Sequence, residues 1–156
     1  MIKFEIPGRS DHVIDHVVFD VNGTLAVDGI MLPGVTNLLK VFNDKVRIHL
    51  LTADTHGKQN EIDQQLGLTA VRVKQGNEAQ QKAKYLIDLG RDQSVAIGQG
   101  ANDSLMLKEA AIGICLLSQE GTSLDTILTA DIIVPDVLIA INLILNPTRL
   151  IASLRK

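Results

Sequence analysis

Val18-Phe19-Asp20-Val21-Asn22-Gly23-Thr24-Leu25 reads as a buried strand that runs into an acid and then breaks. Val17, Val18 and Phe19 are β-branched or aromatic and uninterrupted, as in a strand covered on both faces. Asp20 ends the run, and Gly23 lets the chain turn. Taken alone, Asp20 is a turn former or a helix cap. Its meaning depends on what else the chain delivers to the same place.

The rest of the chain repeats the pattern. Short apolar runs at His16–Asp20, Val46–Leu51, Val71–Val73, Val95–Ile97, Ile112–Leu116 and Ile132–Val134 read as strands. Arg47, His49 and Arg72 interrupt two of them, which places those two nearer a sheet edge. Helices are expected over Pro33–Phe42, Thr55–Leu66, Glu78–Leu89, Ser104–Ala110, Ser123–Leu128 and Pro135–Leu145, several opened by Pro or closed by Gly. Strand and helix in alternation predict an α/β fold: a three-layer αβα, Rossmann-like domain around a mostly parallel sheet. In such sheets ligands bind beyond the carboxyl ends of the strands.

The chain of 156 residues, 46% apolar, is expected to form one domain over residues 1–156. The net charge of −3 comes from 15 basic and 18 acidic residues, which argues against a nucleic-acid partner. Arg149, Arg155 and Lys156 read as a frayed, solvated tail. Cys115 is the single cysteine and lies in an apolar run, so it is expected to be packed rather than reactive. No apolar stretch is long enough for a membrane span, and the expectation is a cytoplasmic chain with no membrane partner.

Four residue types gather at the expected strand ends and helix starts: Asp20, Thr52 with Ala53 and Asp54, Lys82, and the loop Gly98-Gln99-Gly100-Ala101-Asn102-Asp103. A carboxylate can attack phosphorus. Carboxylates and a carbonyl can hold Mg²⁺. A hydroxyl and backbone N–H groups can hold phosphate oxygens, and a lysine can neutralise them. Singly, Asp54 is a cap and Lys82 a solvated charge; together and in this order they point to phosphoryl transfer. Of the four histidines, His12 and His16 flank a strand start and are not expected to pair on a metal. His49 is expected in the core or facing a helix, and His56 at a helix start, with a place within reach of the site as its alternative; Glu120-Gly121-Thr122-Ser123 reads as a helix-entry turn, on a loop that also lies at the active edge of the sheet.

These residues resemble the motifs of the haloacid dehalogenase-like (HAD) superfamily of phosphatases and phosphoryl transferases. Its first motif, Asp-x-Asp-Gly-Thr, is matched by Asp20-Val21-Asn22-Gly23-Thr24. Thr52 matches the second, Lys82 the third with Lys84 as a rival, and Gly98–Asp103 the fourth. The form Gly-Gln-Gly-Ala-Asn-Asp, the stretch Ala110-Ala111-Ile112-Gly113-Ile114 and Ala130-Asp131 are similar to the small soluble relatives of the P-type ATPase phosphorylation domain. The resemblance implies a phosphohydrolase with Asp20 as nucleophile and Lys82 as its catalytic partner. It implies phosphate binding at Asn22, Gly23, Thr52, Ala53 and Lys82. It implies a Mg²⁺ cofactor on Asp20, the Asn22 carbonyl and Asp103, with Gln99 and Asn102 as additional candidates. No cap domain fits between the motifs; Ala26–Met31 has room only for a small flap. Capless relatives often oligomerise, so a homo-oligomer acting on a phosphorylated substrate is among the expectations.

Two positions depart from the family pattern. The second acid of the first motif, which protonates the leaving group and activates water, is Asn22 here. An amide does neither, and acid–base help is typically worth about 10²–10⁴-fold. Gln99 stands where an acid helps to place the metal. The implied activity is therefore slow hydrolysis through an aspartyl phosphate. The alternative is a catalytically impaired member that binds phosphate or a partner in a regulatory role.

Overall fold

The computed structural model describes residues 1–156. In chain order the elements are β1 (Ile2–Phe4), β2 (His12–Ile14), β3 (His16–Asp20), β4 (Ala26–Val27), β5 (Ile30–Met31), α1 (Val35–Asn43), β6 (Arg47–Thr52), α2 (Gln59–Leu66), β7 (Val71–Arg72) and α3 (Glu78–Gly90). They continue as β8 (Ser94–Gly98), α4 (Ser104–Glu109), β9 (Ile112–Leu116), α5 (Leu124–Thr129), β10 (Ile132–Val134), α6 (Val137–Leu145) and α7 (Pro147–Leu154). Six strands form one sheet in the order β10-β9-β8-β3-β6-β7. Every pairing in it is parallel.

Alternating side chains along the central strands divide the core. Val17 and Phe19 of β3, with Val95 and Ile97 of β8, face a large cluster that also holds Phe42, Ile62, Ile141 and Leu150. Val18 and Ala96 face the opposite way, into a smaller cluster with Leu86, Met106, Leu107 and Cys115. Helices α1, α2, α6 and α7 therefore cover one face, and α3, α4 and α5 the other. Cys115 is fully buried, as its apolar setting predicts. Gly113 allows α4 to lie on β9, because a Cβ there would come within 2.4 Å of the Leu107 carbonyl oxygen. Asp131 fastens the same corner, accepting from the Gly113 N–H at 2.8 Å and from Arg9 at 2.6 Å.

The structure refines these expectations at three places. The stretch around Arg149 is a helix rather than part of a frayed tail, because Leu150 and Leu154 of α7 are buried in the main core while Arg149 stays in solvent; Arg155 and Lys156 lie beyond the helix and are exposed. β6 lies inside the sheet order, yet β7 pairs only with Leu51 and Thr52, so Arg47–Leu50 still borders an open edge. The hairpin β1–β2 was not expected; it is antiparallel and seals one end of the core with Phe4 and Ile14. His49 bridges His16 and the Tyr85 hydroxyl, each at 3.0 Å, at the end of β3 opposite Asp20. Burial holds the His49 imidazole below its ordinary pKa. His12 instead approaches the Asp92 carbonyl. No single helix is long and apolar enough to cross a membrane, and α6 and α7 meet at 101°.

The chain runs from β3 outward to β6 and β7, then returns to β8 on the other side of β3. The order reverses between β3 and β8, where the loops after two neighbouring strands diverge and leave a crevice. Asp20 and the Gly98–Asp103 loop flank it.

Candidate active site

β3 carries Asp20 out of the core at 5% exposure. Its Oδ1 accepts from the Lys82 ammonium at 2.6 Å, and its Oδ2 from the Thr24 hydroxyl at 3.3 Å. Lys82 is not solvated. It lies on the inward face of α3 with Ala83 and Leu86, wholly buried, and also donates to Asp103 Oδ1 at 2.7 Å. The other Asp103 oxygen accepts the backbone N–H groups of Gln99 and Gly100, each at 3.0 Å. One lysine is thus held between two buried carboxylates from different loops.

Burial pushes the Asp20 carboxyl up, and the neighbouring Asp103 charge adds to it; Lys82 and Thr24 only partly offset these, leaving it at about 7. Burial works against the Lys82 ammonium, but the two carboxylates prevail and its pKa is raised. The sign for stability follows. An unfolded Asp loses its proton near pH ~4, whereas folded Asp20 holds it until about 7. Between those values the folded state binds the extra proton, so metal-free stability falls as pH rises. The Lys82 contribution is present throughout that window, since lysine titrates well above it. In chelator, the urea midpoint of the parent is expected to drop from pH 5 to pH 8 by more than that of Asp20→Asn. Parallel pH trends in the two proteins would contradict the assignment.

Asn22 is tied down by both of its polar ends. Its side-chain amide donates to Thr52 Oγ1 at 3.2 Å, and its carbonyl accepts from Gln99 Nε2 at 3.3 Å. Thr52 is fully buried and also accepts the Asp54 N–H at 2.8 Å. Gly23 suits its position: its φ is +82°, which side chains rarely adopt, and a Cβ there would lie 1.8 Å from Gln99 Nε2, so Gln99 would have to move. Asp54 acts as the cap expected, accepting the Gln59 N–H at the start of α2.

Asp20, Asn22, Ala53, Gln99 and Asn102 line an open cavity of about 170 Å³, which His56 and Glu120 also line. Thr52 and Lys82 do not line it; they stand behind Asn22 and Asp20, to which they bond. Lys84 is exposed and pairs with Asp88, so Lys82 is the lysine of this site. The oxygens beside Asp20 suit a hard cation. Gln99 Oε1 is buried without a hydrogen-bond partner, while its Nε2 donates to the Asn22 backbone carbonyl, and Asp20, Asn22 and Gln99 line the same cavity. Such a set of oxygens fits Mg²⁺.

Sequence reasoning gave Thr24 no role of its own, preferred a helix start for His56 over a place within reach of the site, and read Glu120 as part of a helix-entry turn on a loop at the active edge of the sheet. Thr24 lies within the first motif and was legible there. His56 is not in a helix; it sits in the loop before α2, with Nε2 3.3 Å from Glu120 Oε1. Glu120 reaches it from the loop after β9, a contact that nothing local in the sequence announces. Asp28, His56 and Glu120 offer ligand-type atoms within 4.8 Å of one another at the mouth.

No protein-family profile matches the chain. An uncharacterised protein of Methanocaldococcus jannaschii is 43% identical over 88 residues, covering 54% of this chain and 95% of that protein, and the two belong to one family. The fold is shared with HAD superfamily phosphatases. A 3-deoxy-D-manno-octulosonate 8-phosphate phosphatase from Moraxella catarrhalis, in complex with magnesium and phosphate ions and KDO, superimposes with TM-score 0.65 at 18% identity, over 91% of this chain and 94% of its own. A phospho-aspartyl intermediate analogue of phosphoserine phosphatase gives TM-score 0.59 at 17% identity, over 83% and 98%. A zinc-transporting PIB-type ATPase in the E2.Pi state gives TM-score 0.63 at 24% identity, over 79% of this chain but 20% of the pump.

Proposed function

This chain has the haloacid dehalogenase-like fold, and from that fold and the buried Asp20–Lys82–Asp103 cluster we propose that it is a phosphohydrolase with Asp20 as the nucleophile. The observation that carries the reading is the placement of Lys82. A wholly buried ion cluster of this kind has little structural justification, since replacing all of its members together by well-packed apolar residues is often neutral or stabilising. Retaining it makes sense where an anion must be received.

In this reading the cavity takes the phosphoryl end of a phosphorylated substrate. At about 170 Å³ it is smaller than a whole-ligand pocket of ~300 Å³ or more, so the remainder of the substrate stays outside. Asp20 attacks phosphorus through a carboxylate oxygen and releases the leaving group, giving an aspartyl phosphate. Lys82 neutralises charge beside the attacking carboxylate, and Asp103 holds Lys82 in place. Ala53 and Asn22 line the cavity that would take the phosphoryl oxygens, while the Gly23 N–H is held by the Ala26 carbonyl at 2.7 Å and serves the turn instead. Asp20, the Asn22 carbonyl and Gln99 Oε1 would hold Mg²⁺, with Asp103 beside them. When bound, the ion withdraws charge from the phosphoryl group.

Asn22 sets the rate. It binds Thr52 and orders the loop, but it gives no proton to the leaving group, so formation of the intermediate from a phosphoester is slow. The amides at 22 and 99 also favour a second reading, in which the site binds phosphate, or holds it on Asp20, as a signal to a partner. Phosphate release from p-nitrophenyl phosphate and acetyl phosphate, with and without Mg²⁺, separates them. Turnover dependent on Mg²⁺ supports the hydrolase; none in a folded protein supports the binding reading. Asn22→Asp is expected to raise turnover at least about tenfold, within the range that acid–base groups supply. Unchanged or lower turnover would remove this account of Asn22.

A further inference from the structure

Two carboxylates line the cavity, Asp20 and Glu120. Asp20 is spoken for as the nucleophile. Asp103 is enclosed, with Lys82 on one oxygen and two backbone N–H groups on the other. Asn22 cannot take a proton. Glu120 differs from all of these. It hangs from the loop after β9, with its side chain 21% exposed. Its Oε1 accepts the Asp28 N–H at 2.7 Å and faces His56 Nε2 at 3.3 Å. Its Oε2 has no hydrogen-bond partner and lies 3.1 Å from the point a Cβ on Gly23 would occupy. One oxygen is therefore anchored by two loops, while the other rests against the nucleophile loop, beside the residue that lacks its acid. A general base has to be within reach of its proton, directly or through one water; His56 also lines the cavity but turns its Nε2 to Glu120 Oε1, which leaves Glu120 Oε2 as the carboxylate oxygen facing the nucleophile loop without a partner.

We propose that Glu120 is the general base of dephosphorylation, performing from the β9–α5 loop the proton transfer that Asn22 cannot. The proposal rests on the aspartyl-phosphate reading above. The oxygen of a water molecule bonds to phosphorus as the bond from phosphorus to the Asp20 oxygen breaks, its electron pair returning to the carboxylate. The water proton passes to Glu120 Oε2 and then to solvent, and inorganic phosphate leaves. Asp28 and His56 position the base by fixing its other oxygen, which ties the turn between β4 and β5 to the chemistry.

The test is a label-and-chase experiment with acetyl phosphate, whose leaving group needs no acid. The phosphoryl group on Asp20 is followed after the donor is removed, in the parent, Glu120→Gln, and Glu120→Gln combined with Asn22→Asp. In Glu120→Gln the label is expected to form and then decay about 10²-fold more slowly. In the double variant the decay is expected to recover, because the carboxylate introduced by Asn22→Asp supplies a base of its own. Decay at the parent rate in Glu120→Gln overturns the proposal. So does slow decay that Asn22→Asp does not rescue, which would make Glu120 a structural contact. Label in the parent but not in Glu120→Gln would put Glu120 before the intermediate and also overturns it. Absence of label from the folded parent overturns the aspartyl-phosphate reading itself, and this proposal with it.

Discussion

Asp20→Asn is expected to reduce phosphate release to the background rate while leaving the fold intact. The amide keeps the shape of the carboxylate but lacks the charged oxygen that attacks phosphorus. The amide oxygen can still accept from Lys82 while the amide NH₂ donates to the Thr24 hydroxyl oxygen, and Lys82 keeps its 2.7 Å bond to Asp103. Removing one of two neighbouring buried carboxylates also removes the burial cost and the repulsion from Asp103 that together raise the Asp20 pKa. The variant is therefore expected to be at least as stable as the parent at pH 8 in chelator. Phosphate release and urea unfolding on one preparation check both halves. Hydrolysis at the parent rate would mean that another residue is the nucleophile.

Lys82→Met is expected to cost about 3–5 kcal/mol of stability, the typical cost of removing one partner from a buried ion pair. The side chain is wholly buried, so no water replaces the ammonium. Asp20 and Asp103 would then face each other without a cation. The loss should be smaller at pH 5 than at pH 8, because protonating a carboxylate relieves it. Domains of this size are commonly stable by only ~5–15 kcal/mol, so partial unfolding at pH 8 is within expectation. Lys82→Met combined with Asp103→Asn should recover part of the loss and none of the activity. Urea unfolding at both pH values is the measurement. A loss below about 1 kcal/mol, the scale of exposed pairs, would show that the cluster is solvated.

The site was legible in the sequence because its parts stand at strand ends. Asp20 follows the apolar run from Val17 to Phe19, and Gly98 follows Val95–Ile97; a parallel sheet that reverses its order between those strands has to bring both loops together. Asp103 was marked by its loop, and Lys82 by order rather than by environment. The burial of Lys82 was not legible, since a lysine between Gln81 and Ala83 reads as solvated until the partners beneath it are known. The N-terminal hairpin was missed because its strands are three residues long and bury few side chains. α7 was missed because its basic residues drew the reading toward a solvated tail, although Leu150, Ile151 and Leu154 keep a helical spacing and Pro147 is a fitting first residue. The pairing of His56 with Glu120 joins two loops far apart in the chain, and neither has a periodic pattern. Asn22 was legible as a missing acid, while its bond to Thr52 came only from the fold.

The central claim is a covalent phosphoryl group on Asp20. The direct measurement is to incubate the folded protein with acetyl phosphate and Mg²⁺, reduce any acyl phosphate with borohydride, and sequence the peptides by mass spectrometry. The account predicts conversion of Asp20 to homoserine, dependent on the donor and absent when the metal is chelated. An unmodified Asp20, or reduction at another carboxylate, would contradict it.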